Sequence, residues 1–250
     1  MLVIRSLRPE PLGRLLILHP ICFSAEALAE HLGAGVWNQD YDLLLYDFAG
    51  HGERSDEVFV SYSDELDNLN AEIHATGLGA ATEVLGFSIG ANLALIYAAN
   101  HPELRALYCD GLLFCIDQMT LRKSQMKLAN VKRLAMKMPA LCKPFLPKCW
   151  TEAEKNRLIS SLRSMEKEDL EAILEASAWP YTAPLPDLDE RLLAHSHFFF
   201  AERAYQSTWI QLIRRHYPGA KIEIWKNRSY LEAIAADPVA YYEKHICPEA

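Results

Sequence analysis

The pentapeptide Gly86-Phe87-Ser88-Ile89-Gly90 follows Glu83-Val-Leu and precedes Ala91-Asn-Leu-Ala-Leu, a run of mostly small and apolar residues. A Gly-x-Ser-x-Gly sequence between a strand and a helix is typical of a nucleophile elbow, in which the serine projects from a sharp turn. The glycines remove side chains where that turn would crowd them. A helix beginning at Ile89 would direct free N–H groups toward the point where an oxyanion forms. We therefore interpret Ser88 as a nucleophile; the alternative is a purely structural strand–helix turn.

Short apolar runs alternate with helix-periodic runs on both sides of this pentapeptide. The predicted strands are residues 2–7, 14–19, 41–47, 81–87, 104–109, 197–200 and 221–225. The predicted helices between and after them are residues 25–32, 61–76, 89–99, 204–217 and 238–246. Strands separated by single helices imply βαβ crossovers, and therefore a mostly parallel sheet with helices on both faces.

The alternation stops in the middle of the chain. Between Met119 and Trp179 the pattern predicts helices interrupted by prolines and no strand. We therefore predict an α/β core formed by residues 1–118 and 190–250, with a helical insertion at 119–189. An insertion at this point would cover the carboxyl ends of the strands, where open parallel sheets bind ligands. It would act as a lid.

The composition limits the partners and the location that we expect. The 250 residues carry 25 Lys and Arg against 33 Asp and Glu, a net charge of −8, which argues against nucleic acid as a main partner. The six cysteines form no CxxC pair, and residues 1–6 lack the basic and apolar segments of a secretory signal. These features predict a cytoplasmic protein with reduced thiols.

Three segments together resemble the lidded branch of the α/β-hydrolase superfamily. They are the pentapeptide around Ser88, the stretch Asp47–Ser55 with its Gly-His-Gly, and Leu18-His19-Pro20 at the end of a predicted strand. The resemblance extends over nearly the whole chain outside the insertion. It implies the α/β-hydrolase fold and hydrolysis of a small apolar or acyl substrate, with no metal and no cofactor.

The resemblance also implies two backbone donors that stabilise the oxyanion. One is the N–H of Ile89, and the other belongs to the loop after the strand at 14–19. The family commonly has His-Gly in this loop, whereas this chain has His19-Pro20. Proline has no N–H. The second donor must therefore come from Ile21 or Cys22, or be absent.

Both partners of the serine are missing from the positions that the resemblance implies. The chain order of the family is serine, acid, histidine. Ala204 stands where the acid is expected, and Arg228 stands where the histidine is expected. Arginine cannot act as a base near neutral pH. The catalytic triad is therefore predicted to be degenerate.

Other residues could replace the missing partners. His19 and His51 follow the carboxyl ends of predicted strands, on the edge where Ser88 lies, and are the candidate bases. His195 and His197 lie at the amino end of their predicted strand and are expected at the opposite edge of the sheet. Asp110 ends a predicted strand and is the candidate acid, with Glu202 as an alternative.

The predicted insertion has an unusual charge. Between Leu121 and Lys148 there are eight basic residues and no acidic one, so the rest of the chain has a net charge of −16. A predicted apolar helix face contains Met126, Leu128, Val131, Leu134, Ala135 and Met138. One interpretation is a lid that presents methionines to an apolar substrate and lysines to an anionic headgroup or membrane. We favour the other, a helix that packs its apolar face on the core and leaves its lysines in water.

Three functions fit these observations. The first is a serine hydrolase that acts on an ester, thioester or amide through Ser88, with a relocated or weakened base. The second is a non-catalytic member of the fold that binds a small apolar ligand or a protein partner. The third is an interaction protein that docks through the basic insertion. The intact elbow favours the first, and Ala204 and Arg228 favour the second. We predict a serine hydrolase of weak or altered activity.

Overall fold

The computed structural model describes residues 1–112, 114–115, 118–145, 152–165, 170–173, 175, 179–180, 185–202, 207–226, 234 and 236–246. Its strands are β1 (Leu2–Ile4), β2 (Gly13–Leu18), β3 (Tyr41–Tyr46), β4 (Glu83–Phe87), β5 (Ala106–Asp110), β6 (Phe114–Cys115), β7 (Trp179–Pro180), β8 (Ser196–Ala201) and β9 (Lys221–Trp225). Seven of them form one sheet in the order β1-β3-β2-β4-β5-β8-β9, and β6 pairs with β7.

The main sheet is parallel except for β1, which runs antiparallel to β3. The register places Leu18 beside Gly86, and Phe87 beside Asp110. The carboxyl ends of β2, β4 and β5 therefore meet at Ser88, the residue that follows β4. This arrangement confirms the predicted fold, a mostly parallel sheet flanked by helices.

Helices cover both faces of the sheet. They are α1 (Ala25–Leu32), α2 (Ala34–Trp37), α3 (Tyr62–Ala75), α4 (Ile89–Asn100), α5 (Gln118–Lys137), α6 (Glu152–Ser164), α7 (Glu190–Ala194), α8 (Ser207–His216) and α9 (Pro238–His245). Helices α3 and α4 pack on the face that carries Leu16 and Leu18, whereas α1 and α9 pack on the face that carries Leu15 and Ile17. Alternate residues of a strand point to opposite faces, so β2, which is buried at every position except Arg14, serves both layers.

The segment between β6 and β7 is mainly helical where the structure describes it. It contains α5, α6 and short 3-10 turns at Pro139–Leu141 and Lys143–Phe145. Ala135, Ile159 and Ile173 of this segment belong to the same buried cluster as Leu16 of β2. Among the described residues, no helix is long and apolar enough to cross a membrane. The division into a core of residues 1–118 and 190–250 and a lid of residues 119–189 stays a prediction.

The predicted apolar face of α5 is partly wrong. Val131, Leu134 and Ala135 pack on or within the core. Met126 and Met138 are instead 59% and 50% exposed. The stripe that faces the core is narrower than the periodicity indicated, because methionine is compatible with either a buried or an exposed position.

Candidate active site

Ser88 has the backbone of a nucleophile elbow. Its φ is 56° and its ψ is −114°, between the end of β4 and the start of α4. A positive φ in a residue with a Cβ costs free energy and is retained only where surrounding contacts fix it. Here the Ser88 N–H donates to the Asp110 carbonyl at 2.9 Å, and the Ser88 carbonyl accepts from Ala91 and Asn92.

The two glycines of the pentapeptide are required by close backbone contacts. A Cβ on Gly86 would lie 2.1 Å from the Gly90 carbonyl oxygen. A Cβ on Gly90 would lie 2.3 Å from the carbonyl oxygen of Leu18. The pattern therefore reflects a turn packed against both its own helix and the end of β2, which explains why both positions lack a side chain.

The hydroxyl of Ser88 is buried, and it has no hydrogen-bond partner among the residues that the structure describes. The residue is 6% exposed. The N–H of Ile89, the first residue of α4, likewise has no acceptor there. A helix N-terminus with a free N–H beside a serine Oγ matches the arrangement that stabilises an oxyanion.

The two candidates for the second oxyanion donor differ in their hydrogen bonds. Cys22 has a φ of 67°, and its N–H donates to Nε2 of His51 at 3.1 Å. The N–H of Ile21 donates to no described residue. The Cys22 N–H is therefore occupied, whereas the Ile21 N–H is available among the described residues; the role of either as an oxyanion donor stays a prediction.

His19 forms hydrogen bonds with backbone groups through both ring nitrogens. Its Nδ1–H donates to the Pro20 carbonyl at 2.8 Å, and its Nε2 accepts the N–H of Phe48 at 3.2 Å. Burial lowers its pKa to about 4. The ring is therefore neutral, and the Asp47 carboxylate 3.7 Å from Nε2 does not form an ion pair with it.

His51 has the same kind of environment. Its Nδ1–H donates to the Ala49 carbonyl at 3.1 Å, while Nε2 accepts from Cys22. Burial, followed by the effect of nearby His19, lowers its pKa to about 3. Both rings join the loop after β2 to the loop after β3. Their predicted role as a base for Ser88 therefore requires that one of these bonds break.

Asp110 lies beside the elbow, but its carboxyl group points to a different neighbour. It is 2% exposed, and the Tyr241 hydroxyl of α9 lies 3.5 Å from its Oδ2. Burial raises the pKa of Asp110 to about 7. Burial therefore favours the protonated form of this carboxyl group. Tyr241 was missed by sequence analysis, because no local motif connects residues so far apart in the chain.

The remaining candidate positions lie away from Ser88 or outside the described residues. Ala204 and Arg228 lie outside the described residues, so the degenerate triad stays a prediction. Glu202 is exposed, and its N–H donates to the Trp225 carbonyl. His197 pairs with Tyr108 and Lys221 near the amino ends of their strands. No group of three or more potential metal ligands occurs in the described part of the chain.

A cavity of about 630 Å³ lies between α1, the loop after β3 and α6. Cys22 and His51 contribute to its wall, so it adjoins the candidate oxyanion loop. Its polar lining includes Ser24, Glu26, Glu30, Ser55, Asn156, Arg157, Ser160 and Ser161. Arg157 of α6 forms an ion pair with Glu30 of α1. The cavity is therefore bounded by the core on one side and by the inserted segment on the other.

Comparison with known proteins agrees with this fold. A family model described as the alpha/beta hydrolase fold matches residues 13–145, which is more than half of the chain. This chain belongs to the α/β-hydrolase family. It is also similar to an AB hydrolase superfamily protein of Gibberella zeae, with 36% identity over 73 residues, or 28% of this chain. That match spans 26% of the relative's length.

Solved structures share the fold over almost the entire chain. MGS-M2, an alpha/beta hydrolase enzyme from a Medee basin deep-sea metagenome library, has a TM-score of 0.70 and 14% identity, covering 99% of this chain and 94% of that one. A marine microorganism esterase has a TM-score of 0.68 and 17% identity, covering 97% of each chain. MenH from S. aureus has a TM-score of 0.68 and 13% identity, covering 97% and 94%. At these identities the likeness concerns the fold.

Proposed function

We propose that this protein is a serine hydrolase that cleaves a carboxylic ester or a related acyl compound through Ser88. The observation that carries the proposal is the strained backbone of Ser88, with a φ of 56° at a strand–helix turn. Strain of this kind is concentrated at functional sites, where it positions a reacting group. A turn that served the backbone alone would have no need of a residue with a Cβ at this φ.

In the proposed reaction, Ser88 Oγ forms a bond to the acyl carbon while the carbonyl electron pair moves onto its oxygen. The N–H groups of Ile89 and Ile21 are the donors that would receive this oxyanion, since neither is bonded to another described residue. When the oxyanion collapses, the bond to the leaving group breaks and an acyl-serine remains. Water then releases the acid and restores the serine.

Among the residues that the structure describes, the proton of Ser88 Oγ has no identified general base to accept it in this reaction. His19 and His51 are neutral, but each uses its Nε2 as an acceptor for a backbone N–H. A general base typically contributes about 10²–10⁴-fold to the rate. Without one, the proton must pass to water or to a reactive leaving group. We therefore expect slow turnover, with a preference for activated esters.

The cavity supports a substrate with a polar part. It adjoins the loop of Cys22, and its wall contains the Glu26 carboxylate, the Asn156 amide and the ion pair of Glu30 with Arg157, beside apolar Phe23. Its volume of about 630 Å³ lies in the range of small-molecule sites. We infer a small acyl substrate with at least one hydrogen-bonding or charged group, rather than a purely hydrocarbon one.

A fluorophosphonate probe tests the proposal without knowledge of the substrate, because the probe needs a reactive Oγ and an oxyanion site. We expect labelling of the wild type and none of Ser88→Ala. Ser160→Ala is the matched control, since Ser160 is an exposed serine that lines the cavity beside the loop of Cys22. Slow hydrolysis of nitrophenyl acetate should follow the same order. Absence of labelling in a correctly folded wild type would contradict the proposal.

One observation favours a second function, ligand binding without catalysis. Both candidate histidines are hydrogen-bonded to backbone groups, and no described side chain is hydrogen-bonded to Ser88 Oγ. A binding protein would retain the cavity and have no need of a base. Equal nitrophenyl ester turnover in the wild type and Ser88→Ala, together with no probe labelling, would support this function.

A further inference from the structure

Helix α5 presents a surface that mixes cations with apolar side chains. Arg122, Lys123, Arg133 and Lys137 are all exposed. Met126 lies among them and is 59% exposed. Positions 122, 126, 133 and 137 are spaced by four, seven and four residues, which places them along one side of a helix. We call this side of α5 the cationic face.

Further apolar side chains continue the cationic face at its carboxyl-terminal end. Met136 is 57% exposed, Met138 is 50% exposed, and Leu141 in the following 3-10 turn is 51% exposed. Val131 and Ala135, on the opposite side of α5, pack on the core. The exposed apolar residues therefore do not belong to the side of α5 that packs on the core.

The charges of this face are not neutralised within the described part of the chain. Its four cations form no ion pair with a described carboxylate. Among the described residues, the one hydrogen bond that their side chains form is from Arg133 to the Asn130 side chain. Lys143 differs, because its ammonium lies 2.6 Å from Glu152. The segment from Leu121 to Lys148 has eight basic and no acidic residues, while the rest of the chain has a net charge of −16.

We propose that the cationic face of α5 binds the surface of an anionic lipid bilayer, with the helix axis parallel to the membrane. Lysine and arginine would contact lipid phosphates and carboxylates, and the exposed methionines and Leu141 would enter the boundary between headgroups and acyl chains. Each basic residue near such a surface contributes roughly fivefold to binding. The four cations together are enough for measurable but reversible association.

The composition of the face distinguishes a bilayer from other polyanions. Nucleic acid binding relies on cations that contact phosphates and gains little from exposed methionine and leucine. An acidic helix-binding protein would need a free apolar stripe on α5, and that stripe is occupied by the core. Only a bilayer offers a charged layer and an apolar layer to the same face. The strongly negative remainder of the protein would orient it with α5 toward the membrane.

The test is cosedimentation of the full chain with vesicles of phosphatidylcholine alone and of phosphatidylcholine mixed with phosphatidylserine. We expect binding to the mixed vesicles alone, weakened by added salt. The variant R122Q/K123Q/R133Q/K137Q should lose binding by at least a hundredfold. The control R214Q/R215Q/K221Q/K226Q removes four exposed cations elsewhere, with the same change in net charge, and should bind as the wild type does. M126S/M136S/M138S should bind more weakly, with an unchanged salt dependence.

The outcomes separate this proposal from the hydrolase proposal. Ser88→Ala should bind vesicles as the wild type does, since the face does not include the elbow. If the two quadruple glutamine variants lost vesicle binding equally, binding would depend on the net charge of the protein and not on α5, and the proposal would be overturned. Binding to duplex DNA or polyglutamate in place of vesicles would also overturn it. Thermal unfolding of each variant shows whether it is folded, and the methionine variant remains informative if the quadruple variant is not.

Discussion

The backbone N–H of Cys22 donates to Nε2 of His51 at 3.1 Å, and this bond joins the loop after β2 to the loop after β3. The bond requires a neutral imidazole, and burial lowers the pKa of His51 to about 3. Because Nδ1–H of the same ring donates to the Ala49 carbonyl, the ring has a structural role on both sides. The loop that contains Ile21 is therefore fixed by hydrogen bonds to His51.

Replacing His51 distinguishes this structural role from a role as a base. His51→Ala should lower the free energy of unfolding by about 1–3 kcal/mol, because it leaves the buried Cys22 N–H unpaired. His51→Gln can offer an amide oxygen at the position of Nε2 and should recover most of that loss. Urea denaturation measures stability, and kcat/KM for nitrophenyl acetate measures activity.

If the role of His51 is structural, the variant that recovers stability must also recover kcat/KM. We expect His51→Gln to retain most of the wild-type turnover, since it preserves the loop. If His51 were the base, His51→Gln would be stable yet as inactive as His51→Ala, because an amide cannot accept the proton of Ser88. That combination would contradict the structural role.

The buried histidines should make the protein sensitive to acid. The pKa of His19 is lowered to about 4 and that of His51 to about 3, from an ordinary value of 6.5. Below pH 6.5 the two histidines bind protons in the unfolded chain but stay neutral in the folded one. The free energy of unfolding is therefore unaffected by these rings above pH 6.5 and decreases as the pH falls toward 4. Each ring should contribute a slope of ~1.4 kcal/mol per pH unit.

His51→Gln provides the measurement for this slope. Its free energy of unfolding should decline less steeply between pH 6 and pH 5 than that of the wild type, by the contribution of one ring. Urea denaturation at the two pH values is sufficient. An identical slope in both proteins would mean that His51 is protonated equally in the folded and unfolded states.

Asp110 should have the opposite pH dependence. Burial raises its pKa to about 7 from 3.8, so the fold favours the protonated form. Its stabilising contribution is complete below pH 3.8 and is lost as the pH rises to 7. Asp110→Asn keeps the shape without the charge. It should therefore raise the melting temperature more at pH 8 than at pH 5, relative to the wild type at each pH.

The control for Asp110 is Asp189→Asn, since Asp189 is an exposed helix cap far from the elbow in sequence. That variant should show no increase in stability at pH 8. If Asp110→Asn lowered stability equally at both pH values, Asp110 would be ionised in the fold and held by a partner, contrary to the raised pKa.

The contact between the elbow and β2 predicts the effect of a single methyl group. Gly90→Ala places a Cβ 2.3 Å from the Leu18 carbonyl oxygen, which belongs to a buried strand and cannot move easily. We expect a loss of about 1–3 kcal/mol in the free energy of unfolding, together with loss of probe labelling at Ser88.

Gly35→Ala is the matched control. Gly35 lies in α2, where an added Cβ meets no atom within 4 Å. Alanine is favoured over glycine in helices by up to about 1 kcal/mol, so stability should be unchanged or higher. Normal stability and labelling of Gly90→Ala would show that the elbow relaxes away from β2.

The parts of the fold that follow from local pattern were predictable, and the hydrogen bonds of the site were not. The predicted helix at residues 25–32 and the predicted strand at 221–225 have the bounds that the structure shows. Strand β1 is shorter than predicted, because the Ser6 N–H donates to the Asp42 side chain instead of to a neighbouring strand. The pairing of Cys22 with His51 connects separate loops, and no sequence periodicity contains it.

Ala204 and Arg228 stand at the two positions where the family resemblance places the partners of Ser88. Restoring both partners with Arg228→His and Ala204→Asp should raise kcat/KM for nitrophenyl acetate. We expect a gain within the 10²–10⁴-fold that a general base contributes. Arg228→His alone should gain little, because a histidine needs an acid to orient it, and Ala204→Asp alone has no histidine to orient.

Asp110 offers a second outcome for the same experiment. If Asp110 orients the introduced histidine, Arg228→His alone would gain activity, and Ala204→Asp would not be needed. Adding Asp110→Asn to Arg228→His would then remove the gain. The control is the double variant with Ser88→Ala, which should be inactive because any restored base acts through this Oγ. No gain in the double variant, in a protein whose Ser88 also fails to react with the fluorophosphonate, would favour ligand binding over hydrolysis.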